Sequence, residues 1–220
     1  MKLWEKVELS KLVIEFAVAK YPRVFATCSF GKDSRVLVDL AMQIKRDIPF
    51  IGIDTGYEFP ETLAFAEKLI EETGMSFRWV RPPQSERLRI ESEFGELTVK
   101  NDRYRCCEMK APALAVVLPQ FDAWITGLRR DENDLRKETP VVVTGKVTKI
   151  NPIAFWTKED VWNYIAQRSL DYHPLYDQGY ASLGCLPCTS KGEASERAGR
   201  FTGTSHQGME CGLHSQPNEG

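Results

Sequence analysis

No stretch of this 220-residue chain approaches the ~18 consecutive apolar residues that span a bilayer, which argues against a helical membrane protein. The opening residues, Met1-Lys2-Leu3-Trp4-Glu5-Lys6, are charged where a secretory signal carries its apolar core. Charge of one sign is missing too. The 29 Lys and Arg stand against 31 Asp and Glu, a formal net charge of −2. That balance argues against a general nucleic-acid binder, which needs an excess of phosphate-neutralising cations. There is no internal repeat, and no Gly-x-x-x-x-Gly-Lys loop of the Walker kind. The expectation is a cytoplasmic protein with neither a membrane nor a nucleic acid as its partner.

What is present is an ordinary globular composition, 42% hydrophobic and 27% charged. The length suits one α/β domain with a tail. Apolar spacing through Leu12, Val13, Phe16 and Ala17 predicts an amphipathic opening helix over Leu9–Ala19. Val24–Cys28, Phe50–Ile53, Phe77–Val80 and Ala123–Thr126 read as strands. Helices are expected over Arg35–Lys45, Pro60–Glu72, Ala111–Leu118 and Trp156–Gln167, the last capped by Thr157 with Asp160. Alternation at this spacing predicts a doubly wound, mostly parallel sheet with helices on both faces. Its ligand belongs at the carboxyl ends of the strands. Residues 1–201 are expected to form this single domain, and 202–220, polar and poor in apolar residues, a flexible tail.

Several loops at those strand ends are built for anions. The first strand runs into Ser29-Phe30-Gly31-Lys32-Asp33-Ser34 and then a helix, which offers backbone N–H groups and a positive helix end. Gly31 admits close approach, Ser29 and Ser34 supply hydroxyls, and Lys32 supplies a charge. A plain capped strand-to-helix turn is the bland alternative. Arg129-Arg130 with Arg136-Lys137, and Arg197 with Arg200, add planar donors suited to sulfate or phosphate oxygens.

Six cysteines complete the pattern. In a reducing compartment, clustered cysteines read as metal ligands or catalysts rather than disulfides. Cys28 ends a core strand and reads as a small buried hydrophobe. Cys106-Cys107 and Cys185-Leu186-Pro187-Cys188 supply four thiolates from two loops. An adjacent pair is awkward on one zinc ion, whereas a cubane cluster offers each thiolate its own iron. The four are therefore expected to hold a 4Fe-4S cluster, with zinc as the alternative. Cys211 stands alone in the tail, a candidate nucleophile or an incidental exposed thiol. His214 is a candidate base or a solvated residue.

Together these residues resemble the sulfonucleotide reductases, specifically the assimilatory adenylyl-sulfate (APS) reductases that carry a 4Fe-4S cluster. The resemblance runs from Thr27 to His214. It covers the Ser-Phe-Gly loop, Asp54-Thr55-Gly56-Tyr57-Glu58-Phe59-Pro60-Glu61-Thr62, Cys106-Cys107, Ile125-Thr126-Gly127-Leu128-Arg129-Arg130-Asp131 and Asn151-Pro152-Ile153. It continues through Gly184-Cys185-Leu186-Pro187-Cys188-Thr189, Glu196–Arg200 and Glu210-Cys211-Gly212-Leu213-His214. The resemblance implies that Cys211 attacks the sulfur of APS, releasing AMP and leaving an S-sulfonate. A thioredoxin-type dithiol then releases sulfite. It also implies substrate contacts from Ser29, Phe30, Gly31, Lys32, Ser34, Asp54, Thr55, Lys110, Gly127, Arg129, Arg136, Arg197 and Arg200. Two departures stand out. One basic residue, Lys110, follows the cysteine pair a position early, and the loop's Gly-Lys-Asp-Ser is closer to that of ATP-cleaving enzymes. A cluster-bearing reductase of the 3′-phosphorylated nucleotide (PAPS) and an ATP-dependent iron–sulfur sulfurtransferase are the alternatives. A nucleotide- or cluster-sensing protein is the non-enzymatic one.

Overall fold

The chain alternates as its apolar runs dictate. In the computed structural model, which describes residues 1–192, 195–205, 207 and 208, α1 (Leu3–Lys20) leads into β1 (Val24–Thr27) and α2 (Lys32–Ile44). Then come β2 (Phe50–Ile53), α3 (Pro60–Thr73) and β3 (Phe77–Val80). An excursion follows, with α4 (Gln84–Phe94), the hairpin β4 (Val99–Lys100) and β5 (Arg103–Tyr104), and the helices α5 (Arg105–Glu108) and α6 (Lys110–Val117). β6 (Ala123–Ile125) returns to the sheet, followed by β7 (Val142–Val143), β8 (Thr148–Ile150) and α7 (Lys158–Gln167).

The main sheet has the order β3-β2-β1-β6-β8-β7, parallel except for the β7 edge. The chain winds outward from β1 to β3, then re-enters on the other side of β1 at β6. Order reverses between β1 and β6, and the loops leaving those two strands part there to open a crevice. Both faces of β1 are covered, as a continuous apolar run requires. Val24 and Ala26 pack with Ile14, Leu37 and Val161 from α1, α2 and α7. Phe25 packs the other way, with Ile51, Trp124 and the α6 residues Leu114 and Val117. The doubly wound parallel sheet with helices on both faces is thus the observed fold.

Three expectations need correction. The opening helix starts at Leu3, and its buried residues are Lys6, Ser10, Ile14 and Ala17, while Leu12 and Phe16 are 59% and 45% exposed. Polar partners explain the rotation. Lys6 pairs with Asp160, and Ser10 Oγ donates to the Pro152 carbonyl at 2.8 Å and accepts from Trp156 Nε1 at 2.9 Å. The strands β7 and β8, two and three residues long, are too short to show a period of their own. α4 carries no clear apolar period because it buries only Ile90 and Phe94 and its other residues are polar or charged apart from the exposed Leu88. The Thr157 cap is as expected, with Thr157 N–H donating to Asp160 Oδ2 at 2.7 Å and Thr157 Oγ1 accepting from Asp160 N–H at 3.2 Å.

The residues described beyond Phe201 are turns. Tyr104 Oη donates to the Thr202 carbonyl at 2.9 Å, and Ser205 N–H donates to Asp102 Oδ1 at 3.0 Å, so the segment is pinned to the β4–β5 hairpin. Cys211 and His214 lie outside the described residues.

Candidate functional site

The crevice begins at the end of β1. Ser34 Oγ accepts from Ser29 N–H at 3.1 Å and lies 3.0 Å from Ser29 Oγ, which curls the loop back over the first turn of α2. Gly31 caps α2 in extended backbone (φ −73°), so space rather than conformation selects glycine. A Cβ there would stand 3.2 Å from Tyr176 Oη. The phenol oxygen accepts from Lys32 N–H at 2.9 Å, and burial pushes its pKa up to about 12. Across the gap, the loop after β6 comes in tightly at Gly127, where a Cβ would lie 3.4 Å from the Asp33 backbone. The resulting cleft presents Ser29, Gly31 and Ser34 on one side and Gly127, Glu132 and Arg136 on another. Lys110, Arg197 and Arg200 close it.

The sequence-derived site residues divide accordingly. Ser29, Gly31, Ser34, Lys110, Gly127, Arg136, Arg197 and Arg200 line the cleft. Phe30, Lys32, Asp54, Thr55 and Arg129 do not line it. Phe30 takes a left-handed backbone (φ 60°) and drives a fully buried ring against Phe77 and Trp79. Asp54 accepts from Arg81 Nε and Gly56 N–H at 2.7 and 2.8 Å. Thr55 Oγ1 lies 3.2 Å from Cys185 Sγ and so belongs with the cysteines.

Lys32 and Arg129 are spent on carboxylates. Lys32 Nζ donates to Asp33 at 2.9 Å and also to Glu196, while Arg129 pairs with Asp33 at 2.5 Å and with Glu196. Burial opposes the charge on Asp33, but Lys32 and Arg129 outweigh it and hold the carboxyl below its ordinary range. Glu132 pairs with Arg136, lies 3.8 Å from Arg197 Nη1, and accepts from Arg129 N–H at 3.0 Å. Oxygens of Asp33, Glu132 and Glu196 converge within 4.8 Å. Lys32, Arg129, Arg136 and Arg197 already neutralise them. Sequence reading missed these acids, along with Tyr176, because it scanned for cations. The visible signal is an acid beside two of the candidate cations, in Lys32-Asp33 and Glu196-Arg197.

Next to the cleft lies the cysteine centre. Sulfur atoms of Cys106, Cys185 and Cys188 lie within 4.8 Å of one another, all buried. The half-buried Cys107 packs against them with Tyr104 and Phe201 around. Arg200 Nη2 donates to Cys188 Sγ at 3.5 Å. Contacts with Cys107, Cys185 and Cys188, together with burial, push the Cys106 thiol far up, while contacts with Cys106, Cys107 and Cys185 pull Cys188 down. Three crowded, buried sulfurs from two distant segments, with the half-buried Cys107 beside them, are a donor set compatible with a soft metal centre. The described arrangement fits a cluster held by Cys106, Cys107, Cys185 and Cys188. Cys28 is apart from them, buried in the core at the floor of the cleft, its pKa raised by burial to about 12.

Comparison with known proteins agrees with this architecture. Residues 23–191 match the family model described as phosphoadenosine phosphosulfate reductase domain. The adenosine 5′-phosphosulfate reductase of Geobacillus kaustophilus (strain HTA426) is 36% identical, over 96% of this chain and 97% of its own. The adenosine 5′-phosphosulfate reductase 1 of Bacillus subtilis (strain 168) is 35% identical, over 92% of this chain and 89% of its own. Among solved structures, phosphoadenylyl-sulfate (PAPS) reductase from Candida auris superposes with a TM-score of 0.69 at 24% identity, covering 82% of this chain and 90% of its own. The FMN adenylyltransferase of Candida glabrata shares the fold, with a TM-score of 0.65 at 17% identity, over 88% of this chain and 69% of its own. With a cleft at the switch point, a family match over most of the chain and relatives at 35–36% identity, the chain belongs to the sulfonucleotide reductases, the family of the APS and PAPS reductases.

Proposed function

We propose that the protein reduces adenosine 5′-phosphosulfate to sulfite and AMP, with a thioredoxin-type dithiol as reductant, in assimilatory sulfate reduction. The observation that carries the reading is that Arg200 belongs to both halves of the site, lining the cleft and donating to Cys188 Sγ at 3.5 Å. An anionic group held by Arg197 and Arg200 therefore sits at the boundary of nucleotide cleft and cysteine centre. The two relatives at 35–36% identity are named for the 5′-phosphosulfate.

The Cys211 thiolate attacks the sulfur of the substrate. The bond between that sulfur and the bridging phosphate oxygen breaks, its electron pair leaves on AMP, and Cys211 carries an S-sulfonate. A thiolate of the reductant then attacks Cys211 Sγ and expels sulfite, leaving a mixed disulfide. The second thiol of the reductant resolves it, so the dithiol supplies both electrons and Cys211 is regenerated. The loop at Ser29, Gly31 and Ser34 binds the α-phosphate through N–H and hydroxyl donors. Arg136, Arg197, Arg200 and Lys110 surround the phosphosulfate group, contacting phosphate as well as sulfate oxygens, so charge developing on the bridging oxygen is stabilised without a proton from a nearby acid. Cys106, Cys107, Cys185 and Cys188 would hold a 4Fe-4S cluster, which would cross-link the two loops and add a fixed electrostatic environment at the edge of the cleft.

The test is sulfite release by anaerobically purified protein with thioredoxin, comparing APS, PAPS and ATP. Release from APS supports the reading. Release from PAPS alone moves the substrate to the 3′-phosphorylated nucleotide, and ATP cleavage without sulfite from either sulfonucleotide refutes the reductase.

A further inference from the structure

The charged groups behind the cleft form a closed ring. Asp33 accepts from Lys32 Nζ at 2.9 Å and from Arg129 Nε at 2.5 Å. Oε1 of Glu196 accepts from the same Lys32 Nζ and from Arg129 Nη2. Three of its members are buried, the side chains of Lys32, Arg129 and Glu196 being 2%, 0% and 7% exposed, while Asp33, 17% exposed, faces the cleft. Two cations and two carboxylates cancel. The ammonium of Lys32 and the Nε and Nη2 of Arg129 go to the ring's own acids, Arg129 Nη1 lies 3.5 Å from Asp131, and neither residue lines the cleft.

What the ring does is mechanical. Lys32 and Asp33 open α2, Arg129 lies on the loop after β6, and Glu196 lies on the segment that carries Arg197 and Arg200. That segment's backbone ties run to the cysteine loop, with Ser190 N–H donating to Gly199 O at 2.7 Å and Phe201 N–H to Cys188 O at 3.0 Å. Its ties across to the nucleotide side include, among the described residues, the two Glu196 contacts, the looser Arg197–Glu132 pair at 3.8 Å and the bond from Asn133 Nδ2 to the Gly208 carbonyl at 3.5 Å. A carboxylate shared by two buried cations is a strong fixed point, because its loss leaves Asp33 alone to balance both of them.

We propose that Glu196 is a positioning residue, clamping its segment to α2 and the β6 loop so that Arg197 and Arg200 are aimed at the substrate's anionic group. The proposal rests on the sulfonucleotide reading above. It makes a prediction opposite in sign to simple electrostatics. Removing a negative charge beside an anion site would tighten anion binding, whereas releasing a clamp weakens it.

AMP binding to the full, cluster-loaded chain, measured calorimetrically, separates the two. Glu196→Gln is expected to weaken AMP about tenfold in the native background, and less than about twofold once Arg197→Ala has already removed the group being aimed. Glu196→Asp keeps the charge but draws it back by one methylene. It is expected to fall between native protein and Glu196→Gln, and it decides the matter alone if the glutamine variant fails to fold. Native or tighter AMP binding by these variants overturns the clamp. So do effects of Glu196→Gln and Arg197→Ala that simply multiply. Failure of the unsubstituted protein to bind AMP or APS would instead overturn the functional reading, and the clamp with it.

Discussion

Cys211 and Gly199 mark two ways in which a single residue governs the site. In the proposed mechanism Cys211 is required for its sulfur alone, so Cys211→Ser should abolish sulfite formation while AMP binding and iron content stay native. Retained turnover would show that another group attacks the substrate. Gly199 is required for its missing side chain. A Cβ there would meet the Ser190 carbonyl oxygen at 1.9 Å, in the backbone pair that holds the arginine segment to the cysteine loop. Gly199→Ala should cost about 1–3 kcal/mol in urea unfolding and weaken AMP binding, since Arg200 is the next residue. At this scale the sequence was most readable where chemistry sets residue type. The four cysteines and Arg197, Arg200, Ser29 and Ser34 lie at the site because few other residues can bind metal or anions there. Lys32 and Arg129 misled, because charge alone does not reveal whether a cation meets a ligand or a buried carboxylate.

Among the elements, the turn His173–Gln178 sets Tyr176 against the start of α2 and is held by a buried histidine. His173 Nε2 lies 2.9 Å from Thr62 Oγ1, and Nδ1 accepts from Leu175 N–H at 3.2 Å, so the ring is neutral with its proton on Nε2. Burial lowers its pKa from 6.5 to about 4. The unfolded chain therefore takes up a proton that the folded one refuses. The stability this residue contributes is full above pH 6.5 and is lost as pH falls from 6.5 toward 4. Urea unfolding across that window should fall more steeply for the native protein than for His173→Gln, and parallel slopes would contradict the assignment. Helix and strand positions were legible where the apolar period is long, as in α2 and α3. The two- and three-residue strands β7 and β8 take their structure from sheet pairing, and α1 takes its rotation from Lys6 and Ser10, whose polar partners no hydrophobic pattern encodes.

Across the whole molecule, the cysteine centre joins segments far apart in sequence, α5 and the loop at Cys185–Cys188, beside the cleft at the β1–β6 switch point. If a cluster spans them, Cys106→Ala should lose iron and lower the unfolding temperature together, and native iron content in that variant would remove Cys106 from the ligand set. Among the described residues no helix is long and apolar enough to cross a membrane. The doubly wound order was legible because alternating strands and helices admit few connections. The meeting of cysteine centre and cleft through Arg200 was not, since it depends on how the last described segment folds back. The account's central claim is covalent transfer of the sulfonate to Cys211, and peptide mass spectrometry tests it most directly. After exposure to APS without reductant, the account predicts one sulfonate on Cys211 with one AMP released per chain. An unmodified Cys211, with AMP formed or not, would contradict it.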